Sequence, residues 1–466
     1  MKKLIFSAVI LSVLLCAPAA FADGYLFTLK EEVAVPFSLN SDIERVPISS
    51  EIMYKADTID EIYDFVSEDS IVDIIYNCDI ELFDSPNDPY YASQWNLSDT
   101  NALYAYEKGL RGDGVKIGII DSGINYGHED INTDKIVRRY NVFDGTEDVT
   151  DELGHGSFVS GIIGADTNNS IGVAGIADNA DIAMYKIFNA KNTSLENFIV
   201  GFDRAIEDGC DVINLSLGVD TTDIATINQL QAMVNRAVGK NIIVVAAVGN
   251  NYDNRKNYPA ACDNVIGVGS VNKSHTRSSF SNYNTSVFVT APGEYLVSTW
   301  YGLVSSYAPN GGVYTGNLNY KGTSFSAPLV TAMAALAKQV NKDMTVDEFG
   351  ELLIETSTDL GDDGYDTSYG YGLVNIEKFT DKLFEKYPFF INVSKDNSKI
   401  RIFNNYSEAI PMYKAGYSNG AMQSLSKETV PIGITETELT TIADCDSVKL
   451  FFWQDMTPVW DVIDIE

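Results

Sequence analysis

Val115-Lys116-Ile117-Gly118-Ile119-Ile120-Asp121-Ser122-Gly123 is the stretch from which the fold can be read. A run rich in isoleucine ends abruptly in a carboxylate, a hydroxyl and a glycine. Apolar residues on consecutive rather than alternate positions mark a strand covered on both faces. Similar short runs follow at Asp181 to Ile187, Val212 to Leu217, Ile242 to Ala247 and Val265 to Val268. Windows of helical period lie between them, such as Phe198, Phe202 and Ile206, or Ile227, Leu230, Val234 and Val238. Buried strands alternating with amphipathic helices predict an α/β domain, a parallel sheet with helices on both faces. In such sheets the chemistry gathers beyond the carboxyl ends of the strands. Asp121 stands at such an end, and a buried carboxylate there needs a hydrogen-bonding partner.

Outward from this region the character of the chain changes on both sides. Lys2 and Lys3, the apolar run Leu4 to Leu15 and Ala20-Phe21-Ala22 read as a secretory signal over residues 1–22. The run is shorter than the ~20 residues a membrane-spanning helix needs, so no stable membrane anchor is expected and the chain is expected to be extracellular. Residues 23–84 carry strand patterns at Tyr25 to Lys30 and Ile71 to Tyr76 with a short helix over Ile59 to Val66 between them, a small α+β unit. Ser85-Pro86-Asn87-Asp88-Pro89 reads as a linker. The α/β domain is assigned residues 85–384. Residues 385–466 show strand-like runs, Lys399 to Phe403 and Val448 to Trp453, between Asn, Ser and Gly turns, and read as a small all-β domain. Its aromatic residues Phe451, Phe452, Trp453 and Trp460 are read as core.

Composition excludes several classes. The 466 residues carry a formal net charge of −33, which repels phosphate backbones and argues against a nucleic-acid partner. With only three histidines, none in an H-E-x-x-H arrangement, catalytic zinc is not expected. Of the five cysteines, Cys16 falls in the signal, and Cys78, Cys210, Cys262 and Cys445 lie far apart as small buried hydrophobes rather than a disulfide framework.

Acyl transfer to serine needs a hydroxyl, an imidazole to take its proton, a carboxylate to orient the imidazole, and donors for the oxyanion. Gly154-His155-Gly156, followed by Ser157-Phe158-Val159-Ser160, sets a histidine at a helix start among small residues. His128 and His275 lack that setting. Gly322-Thr323-Ser324-Phe325-Ser326-Ala327-Pro328 precedes a helix with the apolar face Leu329, Met333, Leu336 and Val340. Ser324 therefore sits near a helix N-terminus, where unpaired N–H groups favour negative charge, and Pro328 is read in the first turn. Val244 to Asn250 is a buried strand ending in an amide. Each of these residues alone is commonly structural, as a cap, a turn or a core group. Their order Asp121…His155…Ser324 is the informative feature, because an α/β-hydrolase esterase would need G-x-S-x-G and the order Ser…Asp…His.

With that order in place the chain resembles the subtilase family of serine proteases over about Pro86 to Asn375. Leu215-Ser216-Leu217-Gly218, Tyr258-Pro259-Ala260 with Val265 to Gly269, Ala291-Pro292-Gly293 and Tyr371-Gly372-Leu373-Val374-Asn375 fall in the family's order. The resemblance implies a secreted endopeptidase acting on polypeptides as a monomer, with Ser324 as nucleophile, His155 as base, Asp121 as its orienting acid and Asn250 in the oxyanion hole. It implies that Ser216, Leu217 and Gly218 pair with substrate, that Asn257 lines the primary pocket, and that residues 23–84 form a self-removed inhibitory prosegment. Asp166 to Val173 is similar to the family's calcium loop. The implied Ca²⁺ ligands are Asp130, Asn169 and the carbonyls of Thr167, Ile171 and Val173, with Gln94 as a further candidate. The sequence departs from the family at Ser157 and Phe158, where threonine and histidine are usual, and at Phe325, where methionine is usual. A catalytically silent subtilase acting as a binding or scaffold protein is the alternative.

Overall fold

The computed structural model describes residues 25–29, 43–46, 53–56, 62, 66, 70–76, 85–300, 312–314, 320–393, 399–406, 409–418, 421–438, 447–454 and 457–465. The expected signal, and most of the helix expected over Ile59 to Val66, lie outside them. The chain divides into two compact units, Met1–Phe83 and Asp84–Glu466. In the first unit the strands Tyr25–Leu29, Ile43–Val46, Met53–Ala56 and Ile71–Tyr76 form one antiparallel sheet. Among the described residues of this unit, Ile43, Tyr54, Ala56 and Ile62 form a buried cluster.

The second unit is built on seven parallel strands. These are β1 (Lys116–Asp121), β2 (Ile136–Asn141), β3 (Asp181–Lys186), β4 (Val212–Leu215), β5 (Ile243–Ala247), β6 (Ile266–Val271) and β7 (Val289–Pro292). Their order across the sheet is β7-β6-β5-β4-β1-β3-β2. The expected α/β fold is thus present. Its longer helices are α1 (His155–Gly164), α2 (Leu195–Glu207), α3 (Ile224–Gly239), α4 (Thr323–Val340), α5 (Val346–Thr356) and α6 (Ile376–Lys386). Two strands escape the sequence patterns, and both are sheet edges. Arg138 and Arg139 break the apolar run in β2, while β7 is four residues long and ends in Pro292, whose missing N–H an edge position tolerates.

The pleat decides which side chains reach the site. Ile117 and Ile119 join the core that contains α1 and α4, whereas Ile120 joins the opposite core with Phe198 and Phe202 of α2 and Leu230 and Val234 of α3. Period-two alternation therefore turns Asp121 toward α1 and α4. The same rule in β4 sends Val212 to that core and Ile213 and Leu215 to the other. Asn214 follows Val212, and its Oδ1 accepts the hydroxyl of Thr331 in α4 at 2.9 Å. Every residue of α4 except Ser324 is buried, so the helix is enclosed all round rather than on one apolar face.

After α6 the described residues are all in strands or turns. One antiparallel sheet contains Phe389–Val393, Lys399–Asn404 and Gly433–Glu438; the other contains Ile410–Ser418, Ala421–Val430, Ser447–Gln454 and Thr457–Ile465. Phe452 is fully buried in their shared core; the side chains of Trp453 and Trp460 lie outside what is described. Phe390 and Phe403, stacked at 4.1 Å, enter the main core instead. Among the described residues no helix is long and apolar enough to cross a membrane.

Candidate active site

β1 delivers Asp121 to the base of α1, where the first residue is His155. His155 Nδ1 lies 2.8 Å from Asp121 Oδ1. A carboxylate only accepts, so Nδ1 carries the proton and Nε2 is left as the base. Asp121 is 1% exposed, and its Oδ1 also accepts the Ser122 N–H at 2.7 Å. Burial pulls the His155 pKa down, but the charges of Asp121 and then Asp151, with the Asp121 hydrogen bond, outweigh it and leave the imidazole more basic than usual. The side chain keeps 30% of its surface exposed, toward a cleft.

Asp151 was not foreseen. It is fully buried, and its Oδ1 accepts Ser122 Oγ and the N–H groups of Leu153 and Gly154, each at 2.9 Å. Its Oδ2 accepts the N–H and Oγ of Ser157 at 2.8 and 2.7 Å. Ser122 Oγ in turn accepts the Gly156 N–H at 2.9 Å. One carboxylate thus ties the end of β1 to the open amides of α1, fixing the spacing between Asp121 and His155. The available signal was an acid just ahead of a helix start. Gly154 sits at φ 81, and a Cβ there would strike the Trp300 ring; a Cβ on Gly156 would strike Gly123 O. These contacts explain the glycines on either side of the histidine.

Ser324 is the second residue of α4, and Gly322 before the helix supplies no side-chain cap. Pro328 lies in the second turn, not the first as expected. Without an N–H it cannot bond the carbonyl four residues back, which is that of Ser324. Ser216 Oγ fills the vacancy, donating to Ser324 O at 2.7 Å while accepting Asn214 Nδ2 at 2.9 Å. Asn250 follows the end of β5, where its Oδ1 accepts Thr323 N–H at 2.9 Å and Thr323 Oγ1 at 3.0 Å. That anchoring leaves its exposed NH₂ group as a donor at the start of α4.

The two unusual phenylalanines touch. Phe158 and Phe325 lie 4.6 Å apart between ring centroids, and Phe325 lies 5.4 Å from the His155 ring. Tyr320 and Trp300 complete the cluster, 5.3 and 6.3 Å from Phe158. Each departure from the family pattern thus supplies the other's packing, and Phe325 braces the imidazole. Ser157 fills its position through the two bonds to Asp151.

Leu217 and Gly218 line two cavities of about 780 and 290 Å³, and Ser216 lines the larger. The larger also contains Asp121 and His155; the smaller contains Ser324, Asn250 and Asn257. Asn257 is 6% exposed and donates to Val248 O and Asn251 Oδ1, both at 3.1 Å. The expected catalytic and substrate-binding residues thus line two cavities that have Leu217 and Gly218 in common. His128 lies elsewhere, buried, its Nδ1 accepting the Asp130 N–H at 3.0 Å; His275 pairs with Asp99 at 2.7 Å.

Asp130 is fully buried beneath the loop that contains Thr167, Asn169, Ile171 and Val173. Asn169 Nδ2 is 3.0 Å from its Oδ1, and the Val173 N–H is 2.8 Å from its Oδ2. Burial, with Asp88 and Asp166 nearby, pushes its carboxyl up to about 8. A buried carboxylate with acidic neighbours suits a hard cation such as Ca²⁺, although Asn169 turns its Nδ2 toward Asp130 while its Oδ1 accepts the Ile171 N–H at 2.7 Å. Gln94 exchanges two bonds with Ala174, its Nε2 donating to Ala174 O and its Oε1 accepting the Ala174 N–H, each at 2.8 Å. Among the described residues no group of three or more His, Cys, Asp and Glu side chains could hold a metal.

Comparison with known proteins gives a consistent result. A model of the subtilase family matches residues 112–372. The alkaline protease of Alkalihalobacillus alcalophilus is 33% identical over 364 residues, covering 77% of this chain and 86% of that protein. Subtilisin Savinase of Lederbergia lenta is 37% identical over 287 residues, 61% of this chain and 98% of that one. Among solved structures, a protease of Pseudoalteromonas arctica superposes with a TM-score of 0.57 at 29% identity, covering 64% of this chain and all of the other.

Proposed function

From the chain's membership of the subtilase family, as a subtilisin-like serine protease, we propose that it is a secreted endopeptidase working through Asp121, His155 and Ser324. Ser324 Oγ attacks the peptide carbonyl as His155 Nε2 takes its proton. Asp121 holds the Nδ1 tautomer and stabilises the imidazolium that forms. The oxyanion accepts hydrogen bonds from the Asn250 amide and the Ser324 N–H at the open start of α4. His155 then gives its proton to the leaving amine, and water releases the acyl group by the reverse sequence. Ser216, Leu217 and Gly218 pair with an extended substrate, which favours unfolded segments. The observation that carries this reading is the 2.8 Å Nδ1–Oδ1 contact, beside a cavity that has Leu217 and Gly218 in common with the one Ser324 lines.

Residues 23–84 act as a prosegment, removed by the enzyme itself after export. Calcium, held by Asp130, Asn169 and the Thr167, Ile171 and Val173 carbonyls, supplies the positive charge that Asp130 needs and braces the loop; it takes no part in the reaction. The test is hydrolysis of an unfolded polypeptide by the purified protein and by Ser324→Ala. The variant is expected to fold, keep residues 23–84 and cleave nothing. Cleavage by the variant would refute the assignment, and a wild-type protein that cleaves nothing would leave the silent-subtilase reading.

A further inference from the structure

The larger cavity has an unbalanced charge. Its lining includes the stretch Ser216 to Asp220 and the loop Lys191 to Ser194 leading into α2. Phe188, Leu195 and Phe198 give it an apolar floor. Its two carboxylates are already engaged. Asp121 is buried against His155, and Asp220 pairs with Arg255 at 2.8 Å. Lys191 is exposed and makes no ion pair among the described residues. Glu196, in the first turn of α2, is not part of the lining. A chain with a net charge of −33 thus turns an uncompensated cation toward the cleft in which substrate would lie.

We infer that Lys191 selects substrates with an acidic side chain in the stretch that pairs with Ser216 to Gly218. This rests on the protease reading above. A glutamate there would meet the ammonium within the cavity while its methylenes lie over the apolar floor. A lysine there would meet like charge. An exposed ion pair changes affinity by up to about 5-fold, and attraction and repulsion together give roughly 10-fold between Glu and Lys. The preference shrinks as salt shortens the Debye length below the ~8 Å of physiological ionic strength.

The experiment uses one peptide sequence in which each position beside the scissile bond carries Glu, Gln or Lys in turn. Cleavage rates are compared for the wild-type protein, Lys191→Gln and Lys191→Glu. At one position the wild type is expected to rank Glu above Gln above Lys in kcat/KM, Lys191→Gln to be flat, and Lys191→Glu to reverse the order, with 0.5 M NaCl compressing all differences. A wild-type protein indifferent to charge at every position, or a preference that survives Lys191→Glu, would overturn the inference while leaving the protease reading intact. If the wild type cleaves no peptide at all, the protease reading fails and this inference with it.

Discussion

The substitution Asp151→Asn keeps the shape of a buried side chain while removing its charge and one of its two acceptor oxygens. In the native chain those oxygens take five donors, three on Oδ1 and two on Oδ2. An asparagine can satisfy one set only; its NH₂ then faces N–H or O–H donors on the other. The arrangement that loses least turns the NH₂ toward Ser157, leaving the Ser157 N–H without an acceptor. One unsatisfied buried donor costs about 1–3 kcal/mol, and loss of charge-assisted bonds adds a similar amount. The expected destabilisation is about 3 kcal/mol, read as a fall of roughly 6–12 °C in Tm. The effect on catalysis has two parts. Loosening Ser122 and Gly154 lets His155 drift from Asp121, and a displacement near 1 Å costs about 10²-fold in kcat. The charge effect has a definite sign. Asp151 helps hold the His155 pKa above its ordinary value, so its neutralisation lowers that pKa. The base must be unprotonated, so the acid limb of kcat/KM moves to lower pH. A variant with lower Tm and lower kcat but an unmoved acid limb would show that Asp151 only supports the fold. A variant with native Tm and rate would refute the clasp altogether.

Asn250→Ala should lower kcat by about 10²–10³ with little change in KM, the loss known for an oxyanion donor in a subtilisin; a change confined to KM would contradict the role. Ser216→Ala leaves the Ser324 carbonyl without a donor and should cost about 1–3 kcal/mol in chemical denaturation. In a Pro328→Ala background the helix supplies its own N–H, so the same change should cost measurably less; equal costs would refute the link between Pro328 and Ser216. Chelation by EDTA should lower Tm by about 5–10 °C, the effect of losing an ion held near 100 times its Kd, and an unchanged Tm would remove calcium from the account.

Why some of this was legible and some not follows from physical causes. The central strands β1, β3, β4, β5 and β6 are covered on both faces, so their apolar runs stand out in the sequence. The edge strands are harder to read: β2 has two partly exposed, ion-paired arginines, and β7, though buried, is four residues long and ends in proline. The strand-end positions of Asp121 and Asn250 follow from the same runs. Asp151 was invisible because its work is to accept main-chain and hydroxyl donors from three segments, which leaves no periodic trace. Phe158 and Phe325 read as two separate oddities, since their contact arises only when α1 and α4 are brought together. The role of Ser216 toward Ser324 depends on a proline 112 positions further along the chain than Ser216. The second-turn placement of Pro328, rather than the first, is what frees the carbonyl.

Asp121, His155 and Ser324, from separate elements, are proposed to act as one reactive unit. A fluorophosphonate probe, which phosphonylates a serine only when a base takes its proton, tests this directly when the adduct is mapped by mass spectrometry. A single adduct is expected on Ser324, formed quickly in the native chain and at least ~10³ times more slowly in His155→Ala. An adduct on another serine, or a labelling rate indifferent to His155, would contradict it.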